Sequence, residues 1–393
     1  MPAVHRENHP ILGGLKLIEV SAFVAAPLAG ATLAALGADV IRVDPPGGGI
    51  DIDRWPMHGE RSLYWAGLNQ GKRSVTIDNR TEEGRRQLIE LVKAHGGILL
   101  TNLPAEGWSS YDQLSKVRPD LIMVVISGSR DGSPAVDYTV NAAVGFPWIT
   151  GPDGHDGPVN HVLPAWDTMT GFLACTAILA AERHRRLTGE GQLVELSLAD
   201  VGLAVAGHLG LIAEAVLEAT PRGRYGNQIY GTFGRDFPTA DGRHVMVVAL
   251  TPRQWRSLVD STGLAESFAE LERALGCDFR RQGDRWRGRK EICDLLAPWV
   301  ADRSLSELRE IFQRNGVLWG PYQTFQQLVA EDPRARGTDS VLAEVEHASL
   351  GRFPTAGSPL RFSAAQWLPP LPAPVLGQHT DEVIREVAGT SSS

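Results

Sequence analysis

The chain has 393 residues, of which 43% are hydrophobic and 21% charged, and its formal net charge is −8. This composition is that of a globular protein, and the length predicts two domains. The negative charge argues against nonspecific nucleic-acid binding, and the apolar runs are shorter than the roughly 18 residues of a membrane span. Cys175, Cys277 and Cys293 are odd in number and widely spaced, which disfavours a disulfide framework and a zinc site. We predict a cytoplasmic protein without a metal, a nucleic-acid partner or a membrane partner.

The N-terminal segment has the pattern of a βαβ unit. Residues 15–20 and 39–43 are predicted strands, and 27–36, which opens with proline and stops at Gly37, is a predicted helix of small residues. The turn 21–27 lacks the Gly-x-Gly-x-x-Gly pattern that lets backbone approach a pyrophosphate. A bound dinucleotide is therefore disfavoured.

Strands and helices continue to alternate along the chain. Strands are predicted at 74–77, 97–101 and 121–126, and a helix capped by Thr81 is predicted to extend to about Ala94. This alternation is typical of a parallel α/β sheet. Such sheets bind ligands above the carboxyl ends of their strands, so loops at those ends are candidate sites.

Asp167 precedes a long apolar helix, which is predicted to start at Thr168 and to stop at Gly189. An aspartate in that position is most often an N-cap, which stabilises a helix by about 1 kcal/mol. The same carboxylate is ionised at neutral pH and could attack an activated acyl group without a general base. The local pattern alone favours the cap.

The second half of the chain changes in composition. Residues 194–215 are predicted to form buried helix, with His208 as a hydrogen-bonded core histidine, and strands 232–239 and 244–250 are predicted to form a hairpin. The domain prediction is a large α/β domain at 1–215, a small α+β domain at 230–320, and linkers at 216–229 and 321–334.

Several of these segments together resemble the class III CoA-transferase family, which includes formyl-CoA transferase and α-methylacyl-CoA racemase. The matching residues follow the family's order: 14–20 with Ala26 and Pro27, 36–43, 69–74 with Asp78 and Gly84, Asn102, Asp167 with Gly171, 185–192, Gly320 and Pro321 with Asp332 and Pro333, and 377–380. The resemblance implies a Rossmann-like open parallel sheet in the large domain, completion of that domain by residues 335–393, a smaller α+β domain and an interlocked homodimer. It also implies an acyl-CoA substrate, with coenzyme A as part of that substrate and no permanently bound cofactor.

A second set of residues resembles one branch of this family. It comprises 21–28, 47–51, 54–56, 107–112, 136–141 and 160–167. The racemases carry a proton-moving histidine where this chain has Val136-Asp137-Tyr138, and the glycine run that covers the active site of formyl-CoA transferase is missing from 222–233. The resemblance therefore implies intramolecular CoA transfer between the C1 and C4 carboxyls of mesaconate.

The family resemblance places Asp167 on the catalytic aspartate, in place of the N-cap role. The residues predicted to contact CoA or the acyl group are Phe23, Val24, Ala25, Asn102, Leu103, Asp137 and, for the CoA phosphates, the cations Arg42, Lys72 and Arg73. A surface salt bridge remains the alternative for each cation. For the free carboxylate of the substrate, Arg54, Tyr138 and His161 remain open.

Three other functions remain open as well. The first is an intermolecular CoA-transferase that uses a separate acceptor acid, which would require that acid for turnover. A racemase would instead exchange an α-proton with solvent. A non-enzymatic binding protein would form no covalent adduct at Asp167.

Overall fold

The computed structural model describes residues 10–390. By its internal contacts the chain divides into two compact units. The first unit comprises the chain up to Val144, Val162–Leu217 and the chain from Pro333 onward, and the second comprises Gly145–His161 and Glu218–Asp332. Residues 145–161, which the domain prediction places in the large domain, thus belong to the second unit by their contacts.

Strands of the described chain are β1 Lys16–Val20, β2 Asp39–Asp44, β3 Met57–His58, β4 Arg61–Ser62, β5 Arg73–Thr76, β6 Ile98–Thr101, β7 Ile122–Ser127, β8 Gln192–Ser197, β9 Phe233–Pro238, β10 His244–Ala249, β11 Leu318–Pro321, β12 Leu342–His347 and β13 Gly351–Ala356. The α-helices are α1 Ala25–Ala34, α2 Leu63–Leu68, α3 Glu82–Ala94, α4 Tyr111–Val117, α5 Asp137–Ala143, α6 Phe146–Ile149, α7 Ala165–Thr188, α8 Leu198–His208, α9 Leu211–Leu217, α10 Pro252–Thr262, α11 Ala265–Leu275, α12 Gln282–Arg287, α13 Arg289–Ala301, α14 Leu305–Asn315, α15 Phe325–Glu331, α16 Pro333–Arg336 and α17 Thr380–Thr390. Short 3-10 helices occupy Ile50–Asp53 and Gly107–Ser109.

The first unit is built on a six-stranded parallel sheet with the order β5-β2-β1-β6-β7-β8. Numbered along the chain this is 3-2-1-4-5-6, the order of a Rossmann-like doubly wound sheet, and the predicted fold class is confirmed. The order reverses between β1 and β6. The carboxyl ends of these two strands therefore form the crevice in which open α/β sheets bind ligands.

The prediction for residues 194–215 is wrong. Residues 194–215 do not form continuous buried helix, because they begin inside strand β8 and then form the separate helices α8 and α9. A short apolar run has no periodicity that separates a strand from buried helix. His208, predicted to be a core histidine, is exposed at the end of α8.

The second unit has an antiparallel sheet in the order β11-β10-β9. The β9–β10 hairpin confirms the predicted pair of strands, whereas β11, which starts 69 residues after the end of β10, was not predicted. Helices α10 to α14 cover this sheet with an aromatic core that includes Phe233, Trp255, Phe279 and Phe312. Each of these aromatic side chains is buried.

No single helix between residues 10 and 390 is long and apolar enough to cross a membrane. The pair α8 and α9, bent by 64°, passes the same test by length and composition alone.

Candidate active site

Reciprocal hydrogen bonds join the loops that follow β1 and β6, at the crevice between these strands. The amide N–H of Ala22 donates to Oδ1 of Asn102 over 2.9 Å, and Nδ2 of Asn102 donates to the Ala22 carbonyl over 2.7 Å. Asn102 therefore fixes the loop after β1, and Leu103 beside it is partly exposed. The next residue of that loop, Phe23, has φ of 64°. A non-glycine residue in this region is strained, and such strain clusters at functional sites.

Helix α1 starts directly after this loop and presents its first turn to the site. The amide of Phe23 is already used, since it donates to Oδ1 of Asp51 over 2.8 Å. The amides at the start of a helix, here those of Val24 and Ala25, have no intrahelical acceptor. Gly171 on α7 packs closely against α1, because a Cβ there would lie 2.7 Å from the Ala25 carbonyl oxygen.

Asp167 precedes Gly171 by four residues and therefore lies on the same face of α7. This is the face that packs against the start of α1. The helix starts at Ala165, so the predicted start at Thr168 is wrong and Asp167 is the third residue of the helix. The N-cap position is Pro164, which supplies no side-chain cap. The carboxylate of Asp167 is therefore not the cap of its own helix.

The cap of α7 comes from another helix. Oδ2 of Asp137, at the start of α5, accepts the amide N–H of Trp166 over 2.8 Å and that of Asp167 over 3.0 Å. Asn141, one turn further along α5, accepts the indole N–H of Trp166 over 3.2 Å. Asp137 is 2% exposed. These contacts position the Asp167 backbone, and they place two carboxylates side by side.

Burial raises the pKa of Asp167 to about 6, with a further increase from the negative charge of Asp137 and a partial decrease from Arg54. The carboxylate is thus mostly ionised at neutral pH, yet it is a stronger base than an ordinary aspartate. A half-buried carboxylate with a perturbed pKa in a crevice is typical of a catalytic group.

Arg54 is held by stacking rather than by ion pairs. Its guanidinium carbon lies 4.9 Å from the ring centroid of Phe23 and 4.6 Å from that of Tyr64. Burial raises the pKa of Tyr64. Arg54 lowers this pKa, and the charges of Asp167 and Tyr138 raise it. The structure thus brings Phe23, Arg54, Tyr64 and Tyr138 around Asp167. Tyr64 was not predicted.

Two of the three predicted phosphate-binding cations are deeply buried. Arg42 is 1% exposed and donates to Asp44 and Asp51, with distances of 3.0 and 2.9 Å. Lys72 is 3% exposed, and its Nζ lies 2.8 Å from a carboxylate oxygen of Glu19. Burial lowers the pKa of Lys72 to about 8, which the pairing with Glu19 only partly offsets. Direct contact with a phosphate would require these ion pairs to break.

Arg73 is likewise occupied. Its guanidinium pairs with Asp39 over 2.6 Å and with Glu382 and Glu386 of α17 over 3.1 and 2.9 Å. These contacts connect β5, β2 and the C-terminal helix.

A cavity of about 390 Å³ opens beside the carboxyl ends of β1 and β6. Its lining includes the predicted Leu103 together with Arg80, Arg85, Pro104 and Trp108, and the guanidinium carbon of Arg85 lies 5.9 Å from the Trp108 ring centroid. A cavity of this size is typical of small-molecule sites. Sequence reasoning missed these two arginines, although Arg80 follows β5 at the same edge of the sheet.

Comparison with known proteins shows the family to which the sequence is similar. The sequence profile of CoA-transferase family III matches residues 12–380. The chain is 53% identical over 388 residues to 2-methylfumaryl-CoA isomerase of Chloroflexus aurantiacus, covering 98% of this chain and 95% of that protein. It is 28% identical over 397 residues to succinyl-CoA–D-citramalate CoA-transferase of the same organism, with 96% and 94% covered.

The fold is similar to that of a solved relative. A crystal structure of a CaiB/BaiF family protein from Brucella suis superposes with a TM-score of 0.79 at 26% identity, covering 97% of this chain and all of that one.

Proposed function

The chain belongs to CoA-transferase family III, and from this premise we propose that it interconverts the C1 and C4 CoA esters of mesaconate, which is 2-methylfumarate. The observation that carries the proposal is the 53% identity to 2-methylfumaryl-CoA isomerase along 98% of the chain. The identity to an intermolecular CoA-transferase over a similar length is only 28%.

In the first half of the reaction, Asp167 is the nucleophile. One oxygen of its carboxylate attacks the C1 thioester carbon, the carbon–sulfur bond breaks, and CoA leaves as the thiolate, giving a mixed anhydride. The thiolate then attacks the aspartyl carbonyl and releases the mesaconate dianion, which leaves a thioester between Asp167 and CoA. No proton is gained or lost.

In the second half, mesaconate turns and its C4 carboxylate attacks the aspartyl thioester. CoA thiolate leaves again and then attacks the C4 acyl carbon, which regenerates the Asp167 carboxylate. Retaining the acid in the site replaces a second collision by an intramolecular step, for which effective molarities can reach roughly 10⁵ M or more. Excluding water protects the anhydride from hydrolysis.

Each tetrahedral intermediate needs hydrogen-bond donors, and losing one typically costs about 3 to 4 kcal/mol. We propose the first-turn amides of α1, those of Val24 and Ala25, for this role. The packing of Gly171 against Ala25 supports the assignment, because it brings α7 and its Asp167 close to these amides.

The large domain, 1–215 with 335–393, is proposed to bind CoA beside the ends of β1 and β6. The cavity lined by Arg80, Arg85 and Leu103 supports this placement, and arginines are suited to phosphate groups. CoA enters as part of the substrate. The free thiols Cys175, Cys277 and Cys293 support a cytoplasmic location.

We propose that the small domain, 230–320, completes the active site of a second copy of the chain in an interlocked homodimer, with 216–229 and 321–334 as linkers. Helices α8 and α9 support a dimer, because they expose Leu203, Leu209, Ile212, Val216 and Leu217 in the single chain. Apolar patches of this kind mark protein interfaces.

Interlocked chains cannot separate without unfolding, so dilution to nanomolar concentration should yield no folded monomer. Sedimentation and circular dichroism on the same diluted samples check this. A reversible monomer with a native spectrum would contradict the interlocked arrangement.

The functional proposal is tested by supplying purified mesaconyl-C1-CoA alone and following the C4 ester by chromatography. Full turnover is expected without any added acid. If product forms only after succinate or another acceptor is added, the chain is an intermolecular transferase. Incorporation of solvent deuterium at an α-carbon of a saturated acyl-CoA would instead indicate a racemase.

A further inference from the structure

Arg54 differs from the other arginines of the site in its contacts with carboxylates. Unlike Arg42, which pairs with Asp44 and Asp51, it forms no ion pair with any residue between 10 and 390. Its guanidinium packs instead against Phe23 and Tyr64. A hydrogen bond with Arg54 contributes to the shift in the pKa of Tyr64, which it lowers. A guanidinium has five N–H donors, so further donors remain for a substrate.

The same arginine lies within electrostatic reach of the nucleophile. Its charge lowers the pKa of Asp167 against the opposing effects of burial and Asp137. Nevertheless no salt bridge joins Arg54 and Asp167 in the described structure. Arg54 therefore lies near the reacting carboxylate without forming a salt bridge with it.

We propose that Arg54 binds the carboxylate of mesaconate that is not reacting, and that it does so in both directions of the transfer. The proposal rests on the function inferred above. A planar guanidinium forms two parallel charge-assisted hydrogen bonds with a carboxylate, and packing against Phe23 and Tyr64 holds the guanidinium in place before the substrate arrives. Fixing a binding group in advance lowers the entropic cost of binding.

This arrangement explains how one site handles both esters. When C1 is at Asp167, the C4 carboxylate is at Arg54, and after the acid has turned end for end the C1 carboxylate takes that place. Two subsites, one reactive and one anchoring, are sufficient for the whole cycle. Substitution of Arg54 should therefore slow formation of the aspartyl–CoA thioester from the C1 ester and from the C4 ester by similar factors.

The test compares mesaconyl-C1-CoA with tiglyl-CoA, which has a methyl group in place of the C4 carboxylate and is otherwise matched. The measured quantity is the rate at which the CoA thioester of Asp167 accumulates, followed by intact mass in single-turnover mixing. Charge-assisted hydrogen bonds are worth about 1.5 to 3 kcal/mol, so Arg54→Gln should slow the reaction of mesaconyl-CoA by about 10- to 150-fold. The rate with tiglyl-CoA should change less than about threefold.

The rate of Arg54→Lys with mesaconyl-C1-CoA should lie between the rates of the unmodified enzyme and of Arg54→Gln. Lysine keeps the positive charge but lacks the planar fork of donors. Arg61→Gln, at an exposed arginine on the same segment, serves as the matched control and should behave as the unmodified enzyme. Equal losses with both thioesters would show that Arg54 only supports the local structure and would overturn the proposal, as would an unchanged rate with mesaconyl-CoA.

The failure of this inference is distinguishable from failure of the proposed function. If the unmodified enzyme interconverts the two mesaconyl esters while Arg54→Gln does so at the same rate, only the role of Arg54 is contradicted. If the unmodified enzyme does not interconvert them, the functional proposal itself fails.

Discussion

Asp167→Ala is expected to abolish turnover, leaving less than about 1% of the activity of the unmodified enzyme, because the anhydride and the thioester form on the Asp167 carboxylate. CoA binding, measured by calorimetry, should stay within about tenfold, since the cavity beside β1 and β6 does not include Asp167. Glu266→Ala, at an exposed first-turn carboxylate of α11, is the matched control and should retain full activity. Activity above 1% in the Asp167 variant would exclude this residue as the nucleophile.

The raised pKa of Asp167 should make the free energy of unfolding depend on pH. The folded protein raises the pKa of Asp167 to about 6 from the 3.8 of an unperturbed aspartate. The contribution of a carboxyl with a raised pKa is most favourable below pH 3.8 and is lost as the pH rises through 6. Asp167→Asn removes this penalty, so at pH 8 it should stabilise the protein by about 1 to 3 kcal/mol, and the gain should vanish towards pH 4. Urea unfolding at both pH values measures this, and a destabilised variant at pH 8 would contradict the assigned environment.

Lys72→Met is expected to have the largest effect on stability. Lys72 donates to Glu19, to the Pro27 carbonyl and to Asn69, and its side chain is completely buried. Removing one partner of a buried ion pair leaves an uncompensated charge, which costs about 3 to 5 kcal/mol. The free energy of unfolding should therefore fall by that amount in urea titrations.

Two variants control this experiment. Lys93→Met removes an exposed pair with Glu90, which should cost less than about 1 kcal/mol. The double variant Glu19→Gln, Lys72→Met removes both charges and should recover part of the loss. If Lys72→Met instead leaves stability unchanged and weakens acyl-CoA binding more than tenfold, Lys72 contacts a CoA phosphate, as its charge and strand-end position predict.

The sequence is sufficient to predict five of the six strands of the parallel sheet and the edge of the sheet at which ligands bind. Strand and helix alternation is a local pattern, and the carboxyl ends of β1 and β6 carry Phe23, Val24 and Asn102 as expected. Strand β8 was missed because its apolar run, Gln192–Ser197, merges with the helix that follows. Periodicity is lost where two buried elements adjoin.

The start of α7 was mispredicted for a nonlocal reason. Asp137, 30 residues earlier, caps the helix from α5, and sequence rules find only caps within the same helix. Similarly, Glu19 lies in β1 and Asp51 in a 3-10 helix, so sequence spacing cannot show that they pair with Lys72 and Arg42. The stacking of Arg54 between two rings also depends on segments that are distant in sequence.

The central claim is that Asp167 transfers CoA within one molecule of mesaconate. Unlabelled mesaconyl-C1-CoA is mixed with enzyme and a large excess of isotopically labelled free mesaconate, and the C4 ester is analysed by mass after several turnovers. If the acid is retained while it turns, the product is almost unlabelled. A product labelled in proportion to the free pool would show that mesaconate leaves and rebinds, which would contradict intramolecular transfer and favour the intermolecular CoA-transferase.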